Sequence, residues 1–225
     1  MDQSLSHQPL VSVIVPTHNR PDLLERALDS IESQEYRRIE AVVVNDGGRD
    51  ITELVAQFSR AWLVIHEKNL GLPAARNTGI RAATGEYIAY LDDDDWFYPD
   101  HIEILVMALR NGDRAAYTDS AIIDKDRSAK LYMSNVYDHD RLRRGNLFPV
   151  CCVMHERSLI DEVGLFDEAL PSHEDWELWI RISDVTDFAH VKNITCAVDR
   201  SRPTMMNEGD RHSRGYWMVR NRYGS

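Results

Sequence analysis

Four consecutive aspartates, Asp92 to Asp95, sit inside "YIAYLDDDDWFYP". At about 5 Å and an effective dielectric of about 20, each ionised pair repels by roughly 3 kcal/mol. A flexible tail tolerates that in water. This run lies instead between a Tyr/Ile/Leu strand pattern and an aromatic segment, and both read as packed protein. A divalent cation is the simplest compensator; the plain alternative is a charged turn without metal. A second acidic group, Glu174 and Asp175, stands in "SHEDWELWIR". Ser172 and Asp175 have the spacing of a capping-box variant, a structural role. Trp176, Trp179 and Ile180 form an apolar stripe that anchors the same helix. Anchoring also suits a catalytic carboxylate, because position governs such chemistry.

Three further segments carry groups that bind anions or base edges: "PTHN" (16–19), "NDGG" (45–48) and "NLGLPAARN" (69–77). Each also has a plain structural reading. Asn19 has the place of a cap for a helix starting at Pro21. "NDGG" suits a tight turn, and Arg76 suits a solvated surface. Asp95 has the place of a cap for a helix beginning near Pro99, or of a group holding a water.

The elements that must position these residues follow from periodicity. "LVSVIV" (10–15) and "IEAVVVND" are near-continuous apolar runs, as in strands buried on both faces. "AWLVIHE" and "GEYIAYL" read as further strands. Between them, "NRPDLLERALDSIESQ" places Leu23, Leu24, Ala27, Leu28 and Ile31 on one helical face, with Pro21 at its first position. "DITELVAQFSR", "GLPAARNTGIRAAT" and "PDHIEILVMALRNG" also read as helices. Strand–helix alternation at this pitch predicts βαβ units and a mostly parallel sheet flanked by helices. Beyond about residue 113, strands in "RAAYTDSAIIDKD", "SAKLYMS" and "NITCAVD" and helices in "RSLIDEVG" and "SHEDWELWIRISD" predict a mixed, irregular second half. Ligands of open α/β sheets bind beyond the carboxyl ends of the strands. "PTHN", "NDGG", "NLGLPAARN" and "DDDD" all fall there, on one edge.

Composition bounds the rest. The 225 residues, 43% hydrophobic and 28% charged, suit one domain over 1–225. The aromatic, basic end "RGYWMVRNRYGS" fits a complete C-terminal helix or the cut end of a longer protein. A net charge of −11 argues against non-specific nucleic-acid binding. No apolar run approaches the roughly 18 residues of a membrane span, and "MDQSLSHQ" lacks the features of a signal peptide, so a cytoplasmic location is expected. Cys151, Cys152 and Cys196 have no metal or redox spacing and read as buried thiols.

The order "VSVIVPTHNR … VVVNDGG … NLGLPAARNTGI … GEYIAYLDDDDWFYPD … HEDWELWIR" resembles the family 2 inverting glycosyltransferases, over roughly residues 9–185. The resemblance implies the GT-A fold, with a nucleotide-binding half at about 9–112 and an acceptor and base half at about 113–225. It also implies transfer of a sugar from a nucleotide-diphosphate donor to a hydroxyl, with inversion. Pro16, Thr17 and Asp46 would then hold the nucleoside, and Arg76 would reach the nucleotide. "NDGG" departs from the family's usual "DDGS", which leaves the base open: UDP comes first, with GDP and dTDP behind. The family's Asp-x-Asp falls on Asp92, Asp93 and Asp94. Carboxylate oxygens there suit Mn²⁺ or Mg²⁺, with Asp94 as the direct ligand, Asp92 nearer the ribose and Asp93 between. The family's "ED" falls on Glu174 and Asp175, with Asp175 as general base and Glu174 holding the acceptor or orienting a neighbour. His212 is a looser metal candidate.

The acceptor stays open among polysaccharide, lipid-linked glycan, polyol phosphate and protein. "RRGNLFPVCCVMHE" borders its expected site, and Arg143 and Arg144 there suit an anionic acceptor, peripheral membrane contact or a solvated turn. A nucleotidyltransferase would need a glycine-rich basic loop that "PTHNRPD" lacks. The other alternative is an inactive sugar- or nucleotide-binding scaffold of the same fold, in which the acidic motifs would decay.

Overall fold

The structure is a computed structural model that describes residues 8–126, 128–201 and 209–224. The expectation about the N-terminal leader falls mainly on residues 1–7, outside the described residues. Strand β1 (Val11–Thr17) is fully buried because it lies between parallel neighbours β2 (Ile39–Asn45) and β4 (Tyr87–Tyr90). Among the described residues, strand β3 (Ala61–Ile65) pairs only with β2 and leaves Trp62 and Ile65 exposed, as an edge strand does.

The second half joins the same sheet. Its strands are β5 (Trp96–Phe97), β6 (Ala115–Ile123), β7 (Ala129–Met133), β8 (Val153–Glu156) and β9 (Phe188–Asp199), in the order β3-β2-β1-β4-β8-β6-β9-β5 with β7 on β6. Strand β8 is antiparallel to both β4 and β6, and β9 is parallel to β6. Two reversals restore the direction, so β6 and β9 deliver their carboxyl ends to the edge where β1, β2 and β4 end.

Helix α1 (Pro21–Glu32) buries the five apolar residues its spacing predicts, with Pro21 in the first turn. Helix α2 (Thr52–Val55) is a single turn, shorter than its segment suggests, with Val55 as its buried residue. Helix α3 (Leu72–Ala82) packs tightly on β1: a Cβ at Gly79 would lie 2.5 Å from Ile14 Cγ2. Helices α4 (His101–Arg110), α5 (His139–Arg144), α6 (Ser158–Val163), α7 (Glu174–Ser183) and α8 (Gly209–Tyr223) complete the layers. The stripe on α7 is core: Trp176 and Trp179 are fully buried, and Trp179 packs edge-on against Tyr90 of β4 at 5.8 Å. The three cysteines are free and buried, their sulfurs within 4.8 Å of one another.

Three capping expectations need correction. The residue preceding α1 is Arg20, without a side-chain cap; Asn19, in a left-handed conformation, instead accepts from the Arg49 N–H. Helix α4 starts at His101 behind Asp100, and Asp95 is buried, accepting from the Asp199 N–H at 3.0 Å. The capping box at α7 does not form. His173 is the cap residue, and Ser172 Oγ turns away to His173 Nδ1 and to the carbonyl oxygens of Arg211 and His212.

Candidate active site

The carboxyl edge gathers the predicted residues into two acidic groups, joined by one arginine. Helix α3 carries Arg76 into the interior with 2% exposure. Its Nη2 donates to Asp92 Oδ1 and its Nη1 to Glu174 Oε1, both at 2.6 Å. Burial opposes its charge, but Asp92, Glu174 and Asp175 more than compensate and hold the guanidinium protonated. The surface reading of Arg76 is thereby excluded, and in this structure its fork grips protein carboxylates. The next residue, Asn77, binds the loop before α7, accepting from Phe166 N–H and donating to Phe166 O and Glu168. Helix α3 therefore positions both acidic groups.

At the first group, Thr17 Oγ1 donates to Asp93 Oδ2 at 2.8 Å, and Pro16 lies buried one residue earlier in β1. Arg20 Nη1 reaches Asp93 at 3.1 Å and Asp94 at 3.2 Å. Burial pushes the Asp93 carboxyl up to about 6 against the pull of Arg20 and Thr17. Burial and Asp92 push Asp94 up as well. One partly exposed guanidinium thus serves two crowded carboxylates, and the donors are all oxygen. That set fits a hard divalent cation. Arg20 closes the "PTHNR" stretch, but its pairing with the acidic run, 73 and 74 residues further on, was not visible in the chain. Behind this group, Arg26 bonds the Asp94 carbonyl oxygen and pairs with Asp199.

Asp46 lies at the end of β2 and is already well supplied. Oδ1 accepts from Leu70 N–H and His66 Nδ1, both at 2.8 Å, and Oδ2 accepts from Gly71 N–H at 2.9 Å. A base edge would take one of its remaining lone pairs. His66, which no motif marked, completes this end: its Nε2 meets Thr78 Oγ1 at 2.9 Å, and it lines an open pocket with Ile65, Glu67, Lys68 and Leu70.

At the second group, His173 takes a left-handed φ of 62°, uncommon for a residue with a side chain, and turns the chain into α7. Burial pushes the carboxyls of Glu174 and Asp175 up, while Arg76 pulls both down. Asp175 Oδ1 accepts from the Trp176 N–H at 2.7 Å, and Oδ2 from Asn146 Nδ2 at 2.9 Å. Asn146 lies in the segment expected to border the acceptor. His212, on α8, packs against His173 in a tilted arrangement with ring centroids 4.3 Å apart. That contact sets it beside the residue preceding Glu174 and Asp175.

This arrangement matches known proteins in sequence and in shape. The sequence model for Glycosyl transferase family 2 matches residues 12–159. An uncharacterized glycosyltransferase of Rickettsia typhi is 34% identical over 197 residues, covering 80% of this chain and 61% of its own. The uncharacterized glycosyltransferase YwdF of Bacillus subtilis is 30% identical over 83% of this chain and 72% of its own. Staphylococcus aureus TarS, solved with UDP-GlcNAc, superposes with a TM-score of 0.76 at 19% identity, over 89% of this chain and 61% of that one. The mannosyltransferase PcManGT of Pyrobaculum calidifontis, solved with GDP-Man and Mn²⁺, gives 0.72 at 21% identity, over 98% and 66%. The chain thus spans about three fifths of the first relatives it matches, and the structural matches show the GT-A fold. With its family model matched over well over half its length, this chain belongs to glycosyl transferase family 2.

Proposed function

We propose that the protein transfers a sugar, with inversion, from a nucleotide-diphosphate donor to an acceptor hydroxyl. The observation that carries this reading is the Arg76 bridge, which makes the Asp92–Asp94 end and the Glu174–Asp175 end one continuous site. Asp46 and His66, with the pocket beside them, supply the nucleoside end. A UDP sugar is the first candidate donor; relatives of this fold have been solved with UDP-GlcNAc and with GDP-Man.

Asp175 takes the proton of the attacking hydroxyl while that oxygen adds to the anomeric carbon from the face opposite the leaving diphosphate. Two hydrogen bonds fix its carboxylate, and the buried tryptophans fix its helix. Glu174 is tied to Arg76 and orients it. The residues that would hold Mn²⁺ or Mg²⁺ are Asp94 directly, with Asp92 and Asp93 beside it and His212 as a looser candidate. A divalent cation there would supply positive charge for the diphosphate oxygens.

The test is calorimetric titration of UDP, GDP and dTDP with and without Mn²⁺, on the wild type and on Asp175→Asn. Metal-dependent binding of one nucleotide is expected in both proteins, with turnover of the matching nucleotide sugar reduced by orders of magnitude in the variant. Absence of binding by all three nucleotides to folded protein would favour an inactive scaffold of the same fold.

A further inference from the structure

The general base has a neighbour that the family motifs do not mark. Asn146 lies between α5 and the turn at Val150–Cys152, in a segment pinned on both sides. Trp176 Nε1 donates to the Leu142 carbonyl, Asn135 Nδ2 donates to the Leu147 carbonyl at 2.8 Å, and Leu142, Leu147 and Phe148 are buried. The side chain is thereby presented to Asp175 with little freedom. Its Nδ2 donates to Asp175 Oδ2 at 2.9 Å, while its Oδ1 is out of contact with solvent and has no hydrogen-bond donor among the described residues. Leaving a buried amide oxygen unpaired costs stability. Turning the amide over would put that oxygen against the carboxylate, so the position is held for its N–H.

We infer that Asn146 is the positioning residue of the base, setting through this N–H which Asp175 oxygen lone pairs are left for the incoming hydroxyl. This rests on the reading of Asp175 as base. An amide N–H favours the ionised form of the carboxylate it touches, so Asn146 also widens the pH range in which Asp175 accepts a proton. Among the described residues, the charged groups acting on Asp175 include Arg76 from α3, Asp92 just after β4 and Glu174 on its own helix, and His173, which precedes them, packs against His212 of α8.

The experiment follows the Asp175 carboxyl directly by carbon NMR on protein labelled at aspartate carboxyls, with the resonance assigned by its loss in Asp175→Asn. In Asn146→Ala the Asp175 titration should move up by about one to two pH units, since a hydrogen bond to a charged group is worth roughly 1.5–3 kcal/mol. The isosteric Asn146→Asp, which keeps the packing if alanine does not, should move it further. With the nucleotide sugar chosen by calorimetry, kcat should fall about tenfold or more, donor affinity should stay within about twofold, and the acid limb should rise with the NMR titration. In an Asp175→Asn background, Asn146→Ala should lower the residual rate no further. An unmoved Asp175 titration with wild-type kcat overturns the inference while leaving the base reading intact. Full turnover by Asp175→Asn alone overturns the base reading, and this inference with it.

Discussion

Arg76 shows how far a side chain's role depends on what surrounds it. Alone in "PAARNTG" it is an ordinary helical arginine; in the fold it is buried with a carboxylate on each amino group. Removing one partner of a buried ion pair strands the other charges, typically at a cost of about 3–5 kcal/mol. Arg76→Ala should therefore lose roughly that much in urea unfolding. Arg76→Lys keeps the charge but cannot span both carboxylates, so it should recover only part of the stability and little of the turnover. Asp95 is the contrasting case: a member of the acidic run whose oxygen serves the Asp199 N–H. Its replacement by Ala, which removes the acceptor that Asn would keep, should loosen the end of β9 rather than weaken Mn²⁺ binding, a difference that thermal melts and metal titration separate.

Helix α3 and helix α8 reach the site through glycines. Gly79 lets α3 press on β1, and Gly215 lets α8 lie on the loop before α7, where an added Cβ would come within 2.6 Å of the Ser172 carbonyl oxygen. Gly79→Ala should destabilise by roughly 1–3 kcal/mol, as overpacking does. Helix α4 is tied to β9 through His101, whose Nδ1 meets Thr195 Oγ1 at 2.6 Å and whose ring stacks on Phe97. Burial pushes the His101 imidazole down to about 3. Between about pH 4 and 6 the unfolded chain binds a proton there and the folded chain does not, so this group costs stability as pH falls. His101→Phe should make the slope of stability against pH shallower by about 1.4 kcal/mol per unit in that window, measured by denaturant unfolding at stepped pH.

Across the molecule, one sheet edge collects carboxylates in a protein whose net charge is already −11. On the proposed function, a nucleotide diphosphate added alone should meet repulsion, and a divalent cation should offset it. UDP with Mn²⁺ at about 100 times its Kd should stabilise by about 2.7 kcal/mol and raise Tm by roughly 5–10 °C. A chelator should abolish most of that shift. No helix among the described residues is long and apolar enough to cross a membrane.

The buried strands β1 and β2, the amphipathic face of α1 and the carboxyl-edge placement of the acidic run were legible in the chain, because each depends on neighbours within one turn or one strand. Glu174 and Asp175 were legible as a motif carried by the resemblance. Strands β5 and β8 and helix α5 were not, being too short to show a period. Nor were Arg20, His66 or Asn146, which gain their meaning from partners 73, 20 and 29 residues away. The Arg76–Glu174 contact spans 98 residues. Local sequence determined which segments became strands and helices, since hydrophobic periodicity acts over a few residues. Tertiary structure decided which charges meet, since that depends on β8 reversing the sheet and bringing the second half against the first.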